Sequence, residues 1–129
     1  MKFELYDFIT VREINEFKKW TAGLQKKDRA KLNHKIDQLA LTGTALHPHV
    51  LTDTEVPGIH KLRIQGNPKL RPLLCNGPGS INSEFTFLLG AKEVGGGWDP
   101  TKAPEKAKLN KEILKNDITR RRIKHERVT

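Results

Sequence analysis

Lys61, Arg63 and Arg71 are the residues in this sequence whose types and spacing could do chemistry. Lys61 and Arg63 lie two apart in a run that reads as a strand, so they share a face roughly 6–7 Å from one another. Arg71 falls in the next run, and a cross-strand neighbour lies about 5 Å away at the Cβ atoms where the registers match. The intervening Gly66-Asn67-Pro68 turn sets the two runs side by side. Three cations around one phosphodiester can bind it, and they can also help to break it. Arg71 would offset charge building on a phosphorane, and losing one such donor typically costs about 3–4 kcal/mol in the transition state. A lysine crowded by two arginines has its charged form disfavoured, so the pKa of Lys61 is expected to fall. Lys61 would then accept the proton of a ribose 2′-OH. RNA carries its own nucleophile, so this route needs neither a catalytic Ser or Cys nor a metal. The simpler reading is phosphate binding alone, because surface cations vastly outnumber catalytic ones. His60 points to the opposite face by alternation and reads as a packed or edge histidine.

These cations need a sheet to hold them. Residues 59–64, 69–75 and 84–90 read as three strands, separated by Gly66-Asn67-Pro68 and Asn76-Gly77-Pro78-Gly79. One face collects Leu62, Ile64, Leu70, Leu74, Phe85, Phe87 and Leu89. The other collects Lys61, Arg63, Lys69 and Arg71. A sheet greasy on one side and cationic on the other calls for a helix layer beneath and an anion above.

The helix layer is expected ahead of the sheet. Residues 2–9 alternate as a short strand with Phe3 and Leu5 inward. Thr10 looks like an N-cap with Glu13 completing a capping box, which starts a helix over 11–23 carrying Ile14, Phe17, Trp20 or Thr21, and Leu24. Trp20 sits on that stripe and reads as a packing residue. A second helix over 26–42 buries Ala30, Leu32, Ile36, Leu39 and Ala40 and stops at Gly43. With so short a joint, the two form an antiparallel hairpin. Residues 43–58 read as a long loop, interrupted by Pro48 and Pro57, in which His47 and His49 are loop histidines.

After the sheet, Gly95-Gly96-Gly97 is expected to be a mobile loop, and Trp98 beyond it reads either as a packing residue or as the aromatic free to stack on a base. A helix is expected over 104–124, with Pro104 in its first turn and Ala107, Ile113, Leu114 and Ile118 as a broken apolar stripe. Its end, rich in Arg120, Arg121 and Arg122, is expected to fray and to be available to RNA. The whole is expected to be one α+β domain over 1–129: an N-terminal strand and helix hairpin packed on an antiparallel sheet, with a basic C-terminal helix and tail over about 104–129.

Composition narrows the partners. The chain has 129 residues, a formal net charge of +9 and a pI near 9.9, a surplus that favours polyanions such as RNA. Its single cysteine, Cys75, rules out an internal disulfide and reads as a small buried hydrophobe. No CxxC or HExxH pattern occurs and the histidines lack metal-ligand spacing, so neither a metal nor an organic cofactor is expected. No apolar run reaches the roughly 20 residues of a membrane helix, and the N-terminus lacks a signal peptide's apolar core. A cytoplasmic protein without a membrane partner is expected.

The order strand, helix hairpin, antiparallel meander carries the runs His60-Lys61-Leu62-Arg63, Leu70-Arg71 and Phe87-Leu88-Leu89-Gly90-Ala91-Lys92, with Pro104 and Ala107 opening a helix. In that order and spacing the chain resembles the RelE/ParE toxin superfamily, in particular its phage-related HigB/RelE-type branch, over about residues 3–115. The resemblance implies the toxin of a type II toxin–antitoxin pair that enters the ribosome and cuts mRNA by the 2′-OH route without metal. It also implies a cognate antitoxin, expected to be a helix-turn-helix protein. Position by position, Lys61 and Arg63 match the basic pair of the family's second strand. Arg71 matches an arginine that contacts the scissile phosphate, and Lys92 a basic position ending the last strand. The chain departs from the family at Glu93, where some relatives carry an arginine. It also lacks their C-terminal tyrosine, its one tyrosine being Tyr6. Trp98 or His125 would have to stand in. Two rivals stay open: a ParE-like poison of gyrase, and a module that binds RNA without cutting it.

Overall fold

The computed structural model describes residues 3–129, so Lys2, the first residue of the expected N-terminal strand, lies outside it. The architecture is α+β with three α-helices among the described residues and a mixed sheet. Strand β1 (Glu4–Phe8) leads into α1 (Glu16–Ala22) and α2 (Lys26–Thr42). There follow β2 (Leu51–Asp53), β3 (His60–Leu62), β4 (Lys69–Leu70), β5 (Leu73–Asn76) and β6 (Glu84–Leu89). The chain closes with β7 (Lys92–Val94), β8 (Gly97–Asp99), α3 (Ala103–Asn116) and β9 (Arg122–Lys124). Six strands form the main sheet in the order β2-β3-β5-β6-β1-β9, and β4-β7-β8 make a small second sheet. β1 runs parallel to β6; every other pairing is antiparallel.

The helix hairpin forms where its apolar spacing places it. Phe17, Leu24, Leu32, Ile36 and Leu39 bury against Leu62, Ile64, Leu70, Leu74, Phe85 and Phe87, with Phe3, Leu5 and Trp20 at the margin. Gly43 ends α2 at φ +52, a conformation that suits glycine. Helix α1 starts later than its capping-box pattern predicts. Glu13 adopts φ +64, which breaks any helical path from Thr10, and Asn15 caps instead by accepting from the Lys18 N–H at 2.9 Å. Ala30, expected inward, is exposed.

The opposite face of the sheet is not open. Phe8, Ile59, Leu73, Cys75, Leu88 and Ala91 bury there against Ala103, Ala107 and Leu114 of α3. The apolar doublets Leu73-Leu74 and Phe87-Leu88 are what a sheet covered on both sides requires. Leu89, expected beneath the helix hairpin, packs on this second core with Trp98. The reason is a bulge: Leu73 pairs with Leu89 but Leu74 with Phe87, so β6 carries one extra residue and its alternation inverts.

Three further segments differ from their sequence patterns. The run 69–75 breaks at Arg71-Pro72, since proline cannot donate to a ladder, and β4 leaves for the second sheet. The loop 43–58 contains β2, paired with β3. The glycines at 95–97 form a tight β7–β8 hairpin turn, with Gly95 and Gly96 at φ +56 and +78. Finally, α3 stops at Asn116, and the basic tail, expected to fray, returns as β9 alongside β1.

Candidate active site

Strand β3 ends in the main sheet while β4 and β7 belong to the small one, and Arg71 sits at the corner between them. Its N–H donates to the Ala91 carbonyl at 2.8 Å. The side chain is only 2% exposed. Nη1 donates to the carbonyls of Ile64 and Leu70 at 2.9 and 2.8 Å, and Nε to Glu93 Oε1 at 2.8 Å. Lys61 reaches the same oxygen: its Nζ lies 3.0 Å from Glu93 Oε1. Two of the three expected cations therefore meet, but on a carboxylate. Arg71 does not face solvent as the strand pattern implies, because the corner turns it under β7. Nor is Lys61 crowded by two arginines; the charge nearest its ammonium is the Glu93 carboxylate.

Burial alone would raise the Glu93 carboxyl, yet the hydrogen bonds from Lys61 and then Arg71 outweigh it and hold the group below its ordinary value. Glu93 forms one wall of a cleft of about 210 Å³, together with Lys61, Asp53, Glu55 and Trp98. Trp98 sits half-buried on β8, with Lys61 Nζ 5.4 Å from its ring centroid. At the rim, His60 Nδ1 lies 2.8 Å and His47 Nε2 3.5 Å from the carboxylate of Asp53, and His60 is the main cause of that carboxyl's lowered pKa. The cleft is thus richer in carboxylates than the expectation of an anion above the sheet allows. Among the described residues, no group of three or more His, Cys, Asp or Glu is arranged to hold a metal ion.

No protein-family model matches the chain, and comparison with curated proteins and solved structures gives no significant match.

The remaining expected residues divide into two groups. Lys69 is exposed beside the cleft, opposite Glu93 in the β4–β7 register. Lys92 is half-buried on β7, opposite Leu70 and Asp99. Arg63 is half-buried just beyond β3, with its N–H donating to the Val50 carbonyl at 2.8 Å. Arg120, Arg121 and Arg122 lie elsewhere, on the strap that crosses β1, and they are engaged with acids. Arg121 is buried and its guanidinium contacts the Thr10 carbonyl and, at 2.9 Å, Glu13. Arg120 reaches Glu13 at 3.4 Å. Arg122 pairs with Glu84 at 3.1 Å and lies over the Tyr6 ring at 3.8 Å. His125, expected with Trp98 as a stand-in for a tyrosine, is packed away against Asp7 at 2.8 Å and the rings of Phe17 and Phe87.

Sequence reading missed Glu93 as a central group and missed Asp53 and Glu55 altogether. The signal for Glu93 was its position as the sole acid next to Lys92, where a cation was expected. Asp53 and Glu55 carry no such signal, because a loop gives no periodicity from which to infer which way a side chain points.

No helix among the described residues is long and apolar enough to cross a membrane.

Proposed function

We propose that the chain is a metal-independent endoribonuclease, the toxin of a type II toxin–antitoxin pair, which acts in the cytoplasm on mRNA held by the ribosome. The observation that carries this reading is Glu93 Oε1 held between Lys61 Nζ at 3.0 Å and Arg71 Nε at 2.8 Å on the wall of an open cleft. The order strand, helix hairpin, meander supports it as well. In this reading Glu93, not Lys61, accepts the proton of the ribose 2′-OH. The 2′-oxygen bonds to phosphorus, the bond from phosphorus to the 5′-oxygen breaks, and the departing oxygen takes a proton from solvent admitted by the cleft. A 2′,3′-cyclic phosphate remains. The Lys61 ammonium faces the charge that builds on the phosphorane. Arg71, buried beneath, is a positioning residue that fixes Glu93. Lys69, across from Glu93 in the β4–β7 register, contacts a neighbouring phosphate, while a cognate antitoxin silences the protein.

Induced expression with mapped mRNA ends tests the reading. The parent should arrest growth and leave new mRNA ends, and both Glu93→Gln and Lys61→Ala should abolish them. Intact mRNA together with loss of supercoiling would point instead to a gyrase poison. A second reading, an RNA-binding module that cuts nothing, is favoured by the burial of Arg71 and the acids in the cleft. It predicts binding whose logarithm falls with log salt by about 0.7 per phosphate contacted on a single strand, and no new ends.

A further inference from the structure

We propose that the cleft beside Glu93 is a base pocket selective for guanine in single-stranded RNA, with Glu55 as the residue that reads it. This deepens the reading above and depends on it only for the bond that breaks. The three carboxylates of the cleft are not equivalent. Glu93 is held by Lys61 and Arg71, and Asp53 is held by His60 and His47. Glu55 is exposed and makes no ion pair among the described residues, so its two oxygens are available to a ligand. Trp98 supplies an aromatic face in the same cleft, and unstacked RNA bases are characteristically held on such faces and read along their edges.

The edge chemistry selects the base. A free carboxylate offers two parallel acceptors and is satisfied by two adjacent donors. Guanine alone among the RNA bases presents them, as N1–H beside the N2 amino group. Adenine and cytosine place one amino donor beside an acceptor, and uracil has a single N–H between two carbonyls. Guanine also carries O6 and N7 as acceptors, and the Lys61 ammonium rests over the Trp98 ring, 5.4 Å from its centroid, so a base that stacks there displaces it to the base edge and meets it as a donor. The exposed Gly96 and Gly97 line the same cleft without side chains to fill it. A guanosine seated there brings its ribose toward Glu93, so cleavage falls on the 3′ side of guanosine.

Calorimetric titration of the intact protein with GMP, AMP, CMP and UMP tests this without any need for cleavage. GMP should bind about 10-fold or more tightly than the other three, the scale of one bidentate pair. Glu55→Gln, at an exposed position, should erase that preference, and Trp98→Ala should weaken all four alike. A short single-stranded RNA with one guanosine should bind at least as well as GMP and better than the same RNA without it. Equal affinities, no measurable binding, a preference that survives Glu55→Gln, or exclusion of the guanosine-bearing RNA would each overturn the proposal. Selective binding without cleavage would remove the nuclease reading and leave this one standing. Cleavage indifferent to guanosine, with no selective binding, would do the reverse.

Discussion

Arg71 Nε donates to Glu93 Oε1 at 2.8 Å from a side chain almost wholly withdrawn from solvent. That contact ties β7 to the corner where the main sheet hands over to the small one. It also makes Arg71 a structural residue whatever the chemistry of the cleft. Arg71→Ala would strip a buried donor from the carbonyls of Ile64 and Leu70 and leave the Glu93 carboxylate with Lys61 alone. The expected loss is about 2–4 kcal/mol of stability, because stranded polar groups cost more than the net worth of their bonds. Denaturant unfolding checks this. A variant as stable as the parent would contradict the interior role.

Glu93 also sets a pH dependence. Its folded carboxyl is held below its ordinary value of 4.5. A depressed acid contributes stability that is present above the unfolded value and disappears as pH falls through the folded one. Glu84 acts in the same direction. Burial pulls it up, but Arg122 and the Ser80 N–H together hold it down. Stability should therefore fall on acidification below about pH 4.5. The Glu93→Gln variant should show a shallower fall, measured as melting temperature against pH. An unchanged acid limb would mean that the Lys61 and Arg71 contacts are not maintained in solution.

Cys75 should be inert in the native protein. The residue is fully buried and burial pushes its thiol up to about 11. Thiolate, the reactive form, is therefore scarce at neutral pH as well as inaccessible. Alkylation at pH 8 should proceed only in denaturant, and mass spectrometry reads the result. Stoichiometric labelling of the folded chain would show that α3 opens readily from the sheet.

Gly90 is required for room. A Cβ built there would fall inside the indole of Trp20. Trp20 in turn stacks on Phe17 at 5.6 Å, and Phe17 on Phe87 at 4.6 Å, so the ring cannot retreat without disturbing the core under the helix hairpin. Gly90→Ala should cost about 1–3 kcal/mol, as overpacking does. Pairing it with Trp20→Ala should remove most of the added cost, which a double-mutant cycle in denaturant measures.

Arg121 anchors the C-terminal strap. With its guanidinium on Glu13 and the Thr10 carbonyl, Arg121→Ala should weaken the hold of β9 on β1 and uncover a strand edge. Limited proteolysis should then clip the chain after Asn116 faster than in the parent. Equal rates would place the anchoring elsewhere along the strap.

Much of the first core was determined by sequence alone. Leu32, Ile36 and Leu39 recur at helical spacing, and Leu62, Ile64 and Leu74 at strand spacing, so each element's inward face follows from its own period. The fates of Cys75 and Trp20 followed from the same patterns. Lys61 could likewise be set on the face away from Leu62, because its strand neighbours fix the alternation.

Tertiary structure alone decided the environment of that lysine. Periodicity describes one element at a time, and a proline at residue 72 and a bulge in β6 each break it. Once broken, the direction of Arg71 and Leu89 depends on which strand lies alongside. Glu93, Asp53 and Glu55 join Lys61 at the cleft from positions 32, 8 and 6 residues away in sequence, an assembly that no local pattern encodes. The basic tail shows the same limit. Its charge was legible, but the Glu13, Glu84 and Asp37 that engage it belong to distant parts of the chain. Charge is a property of the residue, whereas its availability depends on what the fold places opposite it.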